Sequence, residues 1–196
     1  MIAGLVLAAG EGRRFGGAKL AAELEGGSVL DHAVAAMRGV PAIGRVVVVL
    51  GAHAEEVLAS SDVSGVETVI CEEWNEGIAA SLRTGVQTLA DADVEAIVIT
   101  LGDEPLITSQ AIAAIVDRAD DPAPAVRATY DGKPGHPVLI KSELFAEVQQ
   151  LHGDVGAREL LAGVGTLEVE CGHLCRPDDV DEPEDLRRIS AIVGRE

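Results

Sequence analysis

The chain has 196 residues, of which 47% are hydrophobic and only 2% aromatic, and its formal charge is −18 at pH 7. These values exclude a disordered chain and predict a globular protein with an aliphatic core. The negative charge argues against a nucleic-acid partner, since duplex binding depends on basic residues that neutralise phosphates, and no apolar run is long enough to span a membrane.

Apolar runs alternate with amphipathic patterns along the whole chain. In chain order they predict a strand at 2–9, a helix at 28–40 capped by Ser28, a strand at 45–50, a helix at 53–61, a strand at 66–70, a helix at 78–90, a strand at 95–103, a helix at 108–120, strands at 123–130 and 136–140, helices at 142–151 and 155–163, a strand at 166–171 and a helix at 182–194 with Pro183 in its first turn.

This alternation is typical of βαβ units, which build a parallel sheet covered by helices on both faces. We therefore predict one domain over residues 1–196 with an α/β fold, a three-layer α/β/α sandwich around a Rossmann-like, mostly parallel sheet. Ligands of such sheets bind beyond the carboxyl ends of the strands. The loops to inspect are those that follow Ala8, Leu50, Ile70, Leu101 and Cys171.

The three cysteines, Cys71, Cys171 and Cys175, are odd in number and lack the spacing of a disulfide framework. This favours a reducing, cytoplasmic environment. A structural zinc site at Cys171 and Cys175 would need a second pair of ligands nearby. Thiols without a metal are the simpler interpretation.

Residues 7–19, LAAGEGRRFGGAK, combine glycines with three cations directly after the first strand. A Walker A loop would need Ser or Thr after Lys19, where Leu20 stands, and a dinucleotide fingerprint would need a shorter spacing between Gly12 and Gly16. The remaining phosphate-loop interpretation is an open glycine loop that wraps a nucleoside triphosphate, with Arg14 and Lys19 bound to the phosphates. The alternative is a plain connecting loop with solvated cations.

Several later segments carry candidate site residues. Asp103 follows a buried strand, where a carboxylate can hold Mg²⁺ together with substrate phosphates or simply form a turn. The acidic stretch at 178–181 can cap the last helix, and Gly77, Ser81 and Arg83 stand at the start of a helix, whose N-terminus favours anions. His136 lies in a turn before a strand, where a lone histidine is more often structural than catalytic.

The spacing of Leu7, Ala8, Ala9, Gly10, Gly12, Arg14, Gly16 and Lys19 resembles the signature of the MobA-like nucleotidyltransferases. Further motifs agree in order: GDxP at Asp103 and Pro105, G-x-x-x-S-L-R at Gly77–Arg83, and the acidic stretch that contains Asp181. The GHPVL segment at His136 and the GDxGAR segment at Asp154 and Arg158 resemble the branch typified by molybdenum cofactor cytidylyltransferase. The resemblance extends from Ile2 to Leu186 and is specific because separate motifs recur in order.

The resemblance implies a nucleotide-diphospho-sugar transferase-like fold and a Mg²⁺-dependent transfer of CMP from CTP to the terminal phosphate of the molybdopterin cofactor, with release of pyrophosphate. It implies catalytic roles for Arg14, Lys19 and Asp103, and metal binding by Asp103 and Asp181. Nucleotide binding is implied for Leu7, Ala8, Ala9, Gly10, Gly12, Arg14, Lys19, Gly77, Ser81 and Arg83, and acceptor binding for His136, Asp154 and Arg158.

The base preference rests on Ala9, because Leu-Ala-Ala-Gly openings resemble the cytidylyl enzymes and Leu-Ala-Gly-Gly openings the guanylyl enzymes. Expected partners are CTP, a molybdopterin-type cofactor, and an apo-molybdoenzyme or its chaperone, with no nucleic acid and no membrane. Three alternatives stay open: guanylyl or other nucleotidyl transfer to a different small phosphorylated acceptor, a non-catalytic carrier of the molybdenum cofactor, and a nucleotide-binding regulator that binds CTP without releasing pyrophosphate. A carrier has no need for Asp103, Lys19 and Mg²⁺ together.

Overall fold

The computed structural model describes residues 1–91, 93–154 and 156–194. Its strands are β1 Ile2–Ala8, β2 Glu23–Leu24, β3 Gly27–Ser28, β4 Ile43–Leu50, β5 Glu67–Ile70, β6 Ala96–Leu101, β7 Ala125–Tyr130, β8 Lys133–Lys141 and β9 Thr166–Glu170. Its helices are α1 Val29–Arg38, α2 Ala54–Ser60, α3 Ile78–Leu89, α4 Ser109–Val116, α5 Phe145–Val148, α6 Ala157–Gly163 and α7 Pro183–Val193. Short 3₁₀ helices lie at Lys19–Ala21, Trp74–Glu76 and Ser142–Leu144.

A seven-stranded sheet in the order β5-β4-β1-β6-β8-β7-β9 organises the molecule. Every neighbouring pair is parallel except the two that involve β8, which runs antiparallel to β6 and to β7. Helices α1, α2, α4 and α7 pack their apolar side chains on one face, and α3, α5 and α6 pack theirs on the other. The predicted three-layer α/β/α sandwich with a mostly parallel sheet is confirmed.

Local sequence signals place most element boundaries. The hydroxyl of Ser28 accepts a hydrogen bond from the backbone N–H of Asp31 at 3.1 Å, and the Asp31 carboxylate accepts one from the Ser28 N–H at 2.7 Å. This reciprocal capping box begins α1 at the predicted position. Thr108 caps α4 with a single hydrogen bond, in which its hydroxyl accepts from the backbone N–H of Ala111 at 3.3 Å.

Three segments differ from the sequence-based prediction. The helix predicted at 142–151 is a 3₁₀ turn followed by the four-residue helix α5. The strand predicted at 136–140 begins already at Lys133, because Asp131 and Gly132 adopt φ values of +51° and +73° and close a two-residue hairpin between β7 and β8. The helix predicted at 155–163 begins at Ala157, and Val155 lies outside the described residues.

The carboxyl ends of the two central strands, β1 and β6, determine where the candidate site lies. Strands β1 and β6 run side by side, with Leu7 opposite Leu101, so that the loops after both strands leave the sheet at the same edge. The backbone N–H of Val180 donates to the carbonyl of Asp103 at 2.9 Å and fixes the segment before α7 against the loop after β6. Within the described part of the chain, no helix has the length and apolar character needed to cross a membrane.

Candidate active site

The glycine loop after β1 folds back on itself. The N–H of Gly16 donates to the carbonyl of Gly12 at 3.0 Å, and the N–H of Lys19 donates to the carbonyl of Gly17 at 2.8 Å. Gly12 has a φ of +66°, and a Cβ at this position would lie 2.3 Å from the carbonyl oxygen of Gly17. The loop therefore requires glycine at position 12, and its return path brings Lys19 back over the end of the sheet.

Lys19 joins the two acidic segments of the site. Its Nζ lies 2.6 Å from Oδ2 of Asp103 and 3.1 Å from Oδ1 of Asp181, and its side chain is only 10% exposed. Burial on its own lowers the pKa of this lysine, but the carboxylates of Asp103 and Asp181 outweigh burial and raise the pKa above 10.5. The ammonium is therefore charged at neutral pH and positioned by both carboxylates.

Negative charge exceeds positive charge around Lys19. Arg14 contacts the other oxygen of Asp181, with 3.0 Å between Nη1 and Oδ2, but its side chain is 71% exposed. Burial and then the charges of Asp181 and Asp103 raise the pKa of Asp179, two residues before Asp181, above 3.8. The carboxylates of Asp103 and Asp181 therefore share one buried ammonium, and Arg14 adds a cation that is mostly exposed to solvent.

The donor set fits a hard divalent cation. Asp103 and Asp181 present carboxylate oxygens to one point from two different loops, at the mouth of an open cavity. No group of three His, Cys, Asp or Glu side chains poised for a metal occurs in the part of the chain that the structure describes. Mg²⁺ is commonly held by one or two carboxylates plus substrate phosphates. Asp103 and Asp181 are the residues that could hold it.

Three adjoining cavities meet at Leu7 and Asp154, which line all of them. The loop cavity, about 430 Å³, is bounded by Ala8, Gly10, Gly12, Arg14, Lys19, Asp103 and Asp181. The tryptophan cavity, about 400 Å³, is bounded by Ala9, Trp74, Asn75, Gly77 and Ser81. The arginine cavity, about 410 Å³, is bounded by Arg127, His136, Arg158 and apolar side chains from the sheet and from α3. A ligand with three chemically different parts fits such an arrangement.

The start of α3 holds Asp154 at the junction of the cavities. Gly77 has a φ of +106°, and a Cβ there would lie 2.5 Å from Asp154 Oδ1 and from the backbone of Gly153. The N–H of Ala79 donates to the carbonyl of Gly153 at 3.2 Å. Close approach of these two segments therefore depends on glycine at position 77.

A family comparison gives the same assignment as the motifs. The profile of the MobA-like NTP transferase domain matches residues 4–170. The chain belongs to this family. It is a MobA-like nucleotidyltransferase, as its glycine loop, its acidic segments and its three-layer fold predict.

Relatives of this nucleotidyltransferase carry different names. Nicotine blue oxidoreductase of Paenarthrobacter nicotinovorans is 28% identical over 96% of each chain. Purine catabolism protein PucB of Bacillus subtilis is 29% identical over 97% of each chain. Among solved structures, Rv0371c of Mycobacterium tuberculosis in complex with manganese is 27% identical, with a TM-score of 0.82 over 97% of this chain and 98% of that one.

The structure brings almost all predicted site residues of this nucleotidyltransferase to the three cavities. Those predicted to bind nucleotide line the loop and tryptophan cavities, and His136, Asp154 and Arg158 line the arginine cavity. Arg83 does not line these cavities. Its guanidinium donates to the carbonyl of Leu151 at 2.6 Å and to Glu76 at 3.3 Å, so the structure gives Arg83 a role in fixing the segment before Asp154.

His136 is held between two side chains. Its Nδ1 lies 3.3 Å from Oε1 of Glu104, and its carbonyl accepts a hydrogen bond from the Tyr130 hydroxyl at 2.5 Å. Burial lowers the pKa of His136, but the carboxylates of Glu104 and Asp103 outweigh burial and raise it above 6.5. The second oxygen of Glu104 is buried and has no hydrogen-bond partner in the described part of the chain.

Sequence reasoning missed four residues at the site: Trp74, Asn75, Glu104 and Arg127. Trp74 is the only tryptophan of the chain and stands three residues before Gly77, a signal that could have found it. Glu104 lies inside the GDxP motif at its variable position. Arg127 lies in the middle of a strand, where the sequence gives no sign that its side chain faces a cavity.

Proposed function

We propose that the protein transfers CMP from CTP to the terminal phosphate of a molybdopterin-type cofactor and releases pyrophosphate. The observation that carries this proposal is the convergence of Lys19, Asp103 and Asp181 in the wall of the loop cavity. This arrangement is suited to a nucleoside triphosphate with its metal ion, because the Lys19 ammonium and a metal held by the carboxylates of the two loops would place positive charge near the phosphate oxygens.

The proposal places the triphosphate in the loop cavity and the nucleoside in the tryptophan cavity. Backbone N–H groups near Gly10 and Gly12 approach phosphate oxygens without obstruction from side chains. Lys19 and Arg14 neutralise charge on the phosphates and on the departing pyrophosphate. Trp74 offers a flat surface to the base, and Ala9, Gly77 and Ser81 complete the cavity wall.

The acceptor lies in the arginine cavity, next to the α-phosphate. His136 and Arg158 contact its anionic groups, and Asp154 lies between acceptor and nucleotide because it lines all three cavities. An oxygen of the acceptor phosphate attacks the α-phosphorus in line. The bond from the α-phosphorus to the bridging oxygen of the β-phosphate breaks as the new bond forms, and pyrophosphate carries away the electron pair.

The chain's own contribution is position and charge. Holding two phosphorylated substrates in line supplies a large share of rate enhancement in reactions of this type. When bound between Asp103 and Asp181, Mg²⁺ would neutralise the triphosphate and the developing charge on pyrophosphate. The manganese complex of the mycobacterial relative supports a divalent cation in this fold, and the proposal assigns its binding in this chain to the carboxylates of Asp103 and Asp181.

The test is pyrophosphate release with the molybdenum cofactor and Mg²⁺, measured separately with CTP, GTP and ATP. Asp103→Asn removes the charge that the proposal assigns to the metal, and Asp120→Asn is the matched control because Asp120 is exposed and lies in a turn after α4. Release with CTP, a rate lowered about a hundredfold or more by Asp103→Asn, and normal release by Asp120→Asn are expected.

Other outcomes discriminate between the alternatives. Release with GTP in place of CTP would retain the chemistry and overturn the base assignment. Binding of the molybdenum cofactor with no release from any nucleotide would contradict the transfer reaction and favour a carrier. Equal activity of Asp103→Asn and Asp120→Asn would contradict the role of Asp103.

A further inference from the structure

Arg127 is a charged residue that lies beside apolar side chains of the sheet in the wall of the arginine cavity. It lies on β7 opposite Val138 of β8 and Glu168 of β9. Val138 belongs to the face that packs against α3, α5 and α6, and the same face forms the floor of the arginine cavity. The Arg127 side chain is 17% exposed, while its partner Glu168 is 52% exposed.

The guanidinium of Arg127 is only partly used by the chain. Its hydrogen bond within the described residues joins Nη2 to Oε1 of Glu168 at 2.5 Å. Its Nε is buried and has no hydrogen-bond partner among the residues that the structure describes. An unsatisfied buried donor costs free energy, so a sequence that only needed a cross-strand ion pair would gain by satisfying this group or by placing it in water.

Arg45 shows what such an ion pair looks like when it is purely structural. It also pairs across neighbouring strands, from β4 to Glu67 of β5. Its Nε and Nη2 both donate to Glu67, at 3.1 and 2.8 Å, and its Nη1 donates to Asp91 at 2.8 Å. Every nitrogen of Arg45 has a partner, whereas Nη1 of Arg127 has no hydrogen bond within the described residues and is not buried, so it is the donor that Arg127 leaves beside the cavity.

The walls of the arginine cavity define what can use those donors. Leu82, Ile99, Val138 and Leu161 supply apolar surface, and the charged groups are Arg127, Arg158, His136 and Asp154. Apolar walls favour a flat, uncharged ring body. A guanidinium fork matches a pair of acceptor atoms at the edge of such a ring, such as a carbonyl oxygen beside a ring nitrogen.

We propose that Arg127 is a specificity-determining residue for the acceptor, donating to the carbonyl- and nitrogen-bearing edge of a fused heterocycle that occupies the arginine cavity. This inference rests on the proposed function, because it assumes that the acceptor occupies this cavity. Glu168 is the positioning residue that holds the guanidinium on the cavity floor. The phosphate of the acceptor then points away from Arg127, towards Asp154 and the loop cavity.

The experiment compares Arg127→Met with Arg45→Met. Both substitutions remove a guanidinium from a cross-strand pair and leave an apolar stem, but only the first removes a donor from the cavity. The KM for the molybdenum cofactor and the KM for CTP are measured separately. Binding of 6-hydroxymethylpterin, a fluorescent pterin without phosphate, is followed by fluorescence in the absence of nucleotide.

In Arg127→Met, the KM for the molybdenum cofactor is expected to rise about tenfold or more, the loss that removal of a charged hydrogen-bond donor produces. The KM for CTP stays within about twofold of wild type, pterin binding weakens in parallel, and Arg45→Met changes neither. An unchanged KM for the molybdenum cofactor in Arg127→Met, or a parallel rise in both KM values, would overturn the inference. If Arg127→Met does not fold, the same two KM values and pterin binding are measured for Arg127→Gln, with the same expected and contradicting results.

The failure of this inference and the failure of the proposed function give different results. Turnover by wild type with a normal KM for the molybdenum cofactor in Arg127→Met overturns the role of Arg127 alone. Pterin binding that depends on Arg127, without turnover of CTP or another nucleotide, supports Arg127 and overturns the transfer reaction. A wild-type protein that neither turns over nor binds the pterin overturns both.

Discussion

The ammonium of Lys19 lies 2.6 Å from the carboxylate of Asp103, although 84 positions separate the two residues in the chain. The parallel pairing of β1 and β6 produces this contact, because it brings the loops after both strands to the same edge of the sheet. The N–H of Val180, bonded to the carbonyl of Asp103, adds the third segment. Charge balance at the site therefore depends on a single buried cation.

Lys19→Met is expected to lower the stability of the protein in the absence of metal and to increase the stabilisation that a bound metal ion provides. Without the ammonium, Asp103 and Asp181 repel each other, and the free energy of unfolding falls by about 1–3 kcal/mol, reduced from the buried-pair range because both carboxylates are partly exposed. A manganese ion bound by these carboxylates then removes more repulsion than it does in wild type, so MnCl₂ raises the melting temperature of the variant by a larger amount. Thermal unfolding in EDTA and in millimolar MnCl₂ measures both effects.

The control for Lys19→Met is Lys133→Met, which removes an exposed ammonium at the start of β8. It should leave both the melting temperature and the response to manganese unchanged. If manganese stabilises Lys19→Met no more than it stabilises wild type, Asp103 and Asp181 are not the residues that hold the cation. Activity of Lys19→Met is expected to be low with or without manganese, because the phosphates lose their buried cation.

Gly10→Ala tests whether position 10 must be glycine in order to leave space for the nucleotide, because the backbone conformation there does not itself require glycine. A Cβ at Gly10 meets nothing within 4 Å, and Gly10 lacks the positive φ of Gly12. We expect an unchanged melting temperature and a KM for nucleotide raised about tenfold, as for one lost charged hydrogen bond. Gly17→Ala is the matched control, because its Cβ also meets nothing and Gly17 does not line the loop cavity. A normal KM in both variants would contradict phosphate binding at Gly10.

The sequence predicts the fold well because its signals are local. Apolar runs and caps such as Ser28 place the parallel strands and the principal helices, and a mostly parallel sheet then requires helices on both faces. The prediction is weakest around residues 133–151. The predicted strand at 136–140 omits the hairpin that Asp131 and Gly132 form, and the amphipathic pattern at 142–151 predicts a full helix although only Phe145–Val148 is α-helical.

The residues of the candidate site also fall into two groups, those that the sequence predicts and those that it does not. Residues within contiguous motifs, such as Gly12, Lys19 and Asp103, are predictable because their spacing is typical of the family. Glu104 and Arg127 are not, since their importance depends on contacts between distant strands: Glu104 with His136, and Arg127 with Glu168. Arg83 shows the opposite case, in which a motif residue makes its contacts outside the three cavities. It belongs to a family motif, yet its guanidinium donates to the carbonyl of Leu151.

Asp178→Asn is expected to loosen the segment that carries Asp181. The Asp178 carboxylate contacts Arg176 at 2.9 Å and also contacts Arg188, and its side chain is 13% exposed. The Arg176 hydrogen bond, aided by Arg188, lowers the pKa of Asp178 below 3.8 despite burial. Its stabilising effect is therefore present at neutral pH and lost as the pH falls below about 3.8.

Because Arg176 and Arg188 are about half exposed, the loss in unfolding free energy for Asp178→Asn is about 1 kcal/mol. Manganese affinity should also fall, since Asp181 is less well positioned. Urea unfolding and manganese titration measure the two effects. Glu184→Gln is the control, as its pair with Arg187 is exposed on both sides. Equal manganese affinity in the two variants would contradict the positioning role of Asp178.

The pair of His136 and Glu104 predicts a pH dependence that changes sign on one substitution. In wild type, the carboxylates of Glu104 and Asp103 outweigh burial and raise the pKa of His136 above 6.5. A raised pKa in the folded state means that the pair stabilises the fold fully below pH 6.5 and that this stabilisation is lost as the pH rises through the higher folded value. Wild type should therefore lose stability over this range relative to His136→Gln.

Glu104→Gln removes the largest opposing charge and leaves burial as the dominant influence on His136. The pKa of His136 then falls below its ordinary value, and stability relative to His136→Gln rises as the pH increases through that lower value. Melting temperatures of the three proteins, measured across the range in which histidine titrates, should differ by about 2 °C at its ends. Parallel profiles for wild type and His136→Gln would contradict the pair, because they would show that Glu104 does not stabilise the charged imidazole.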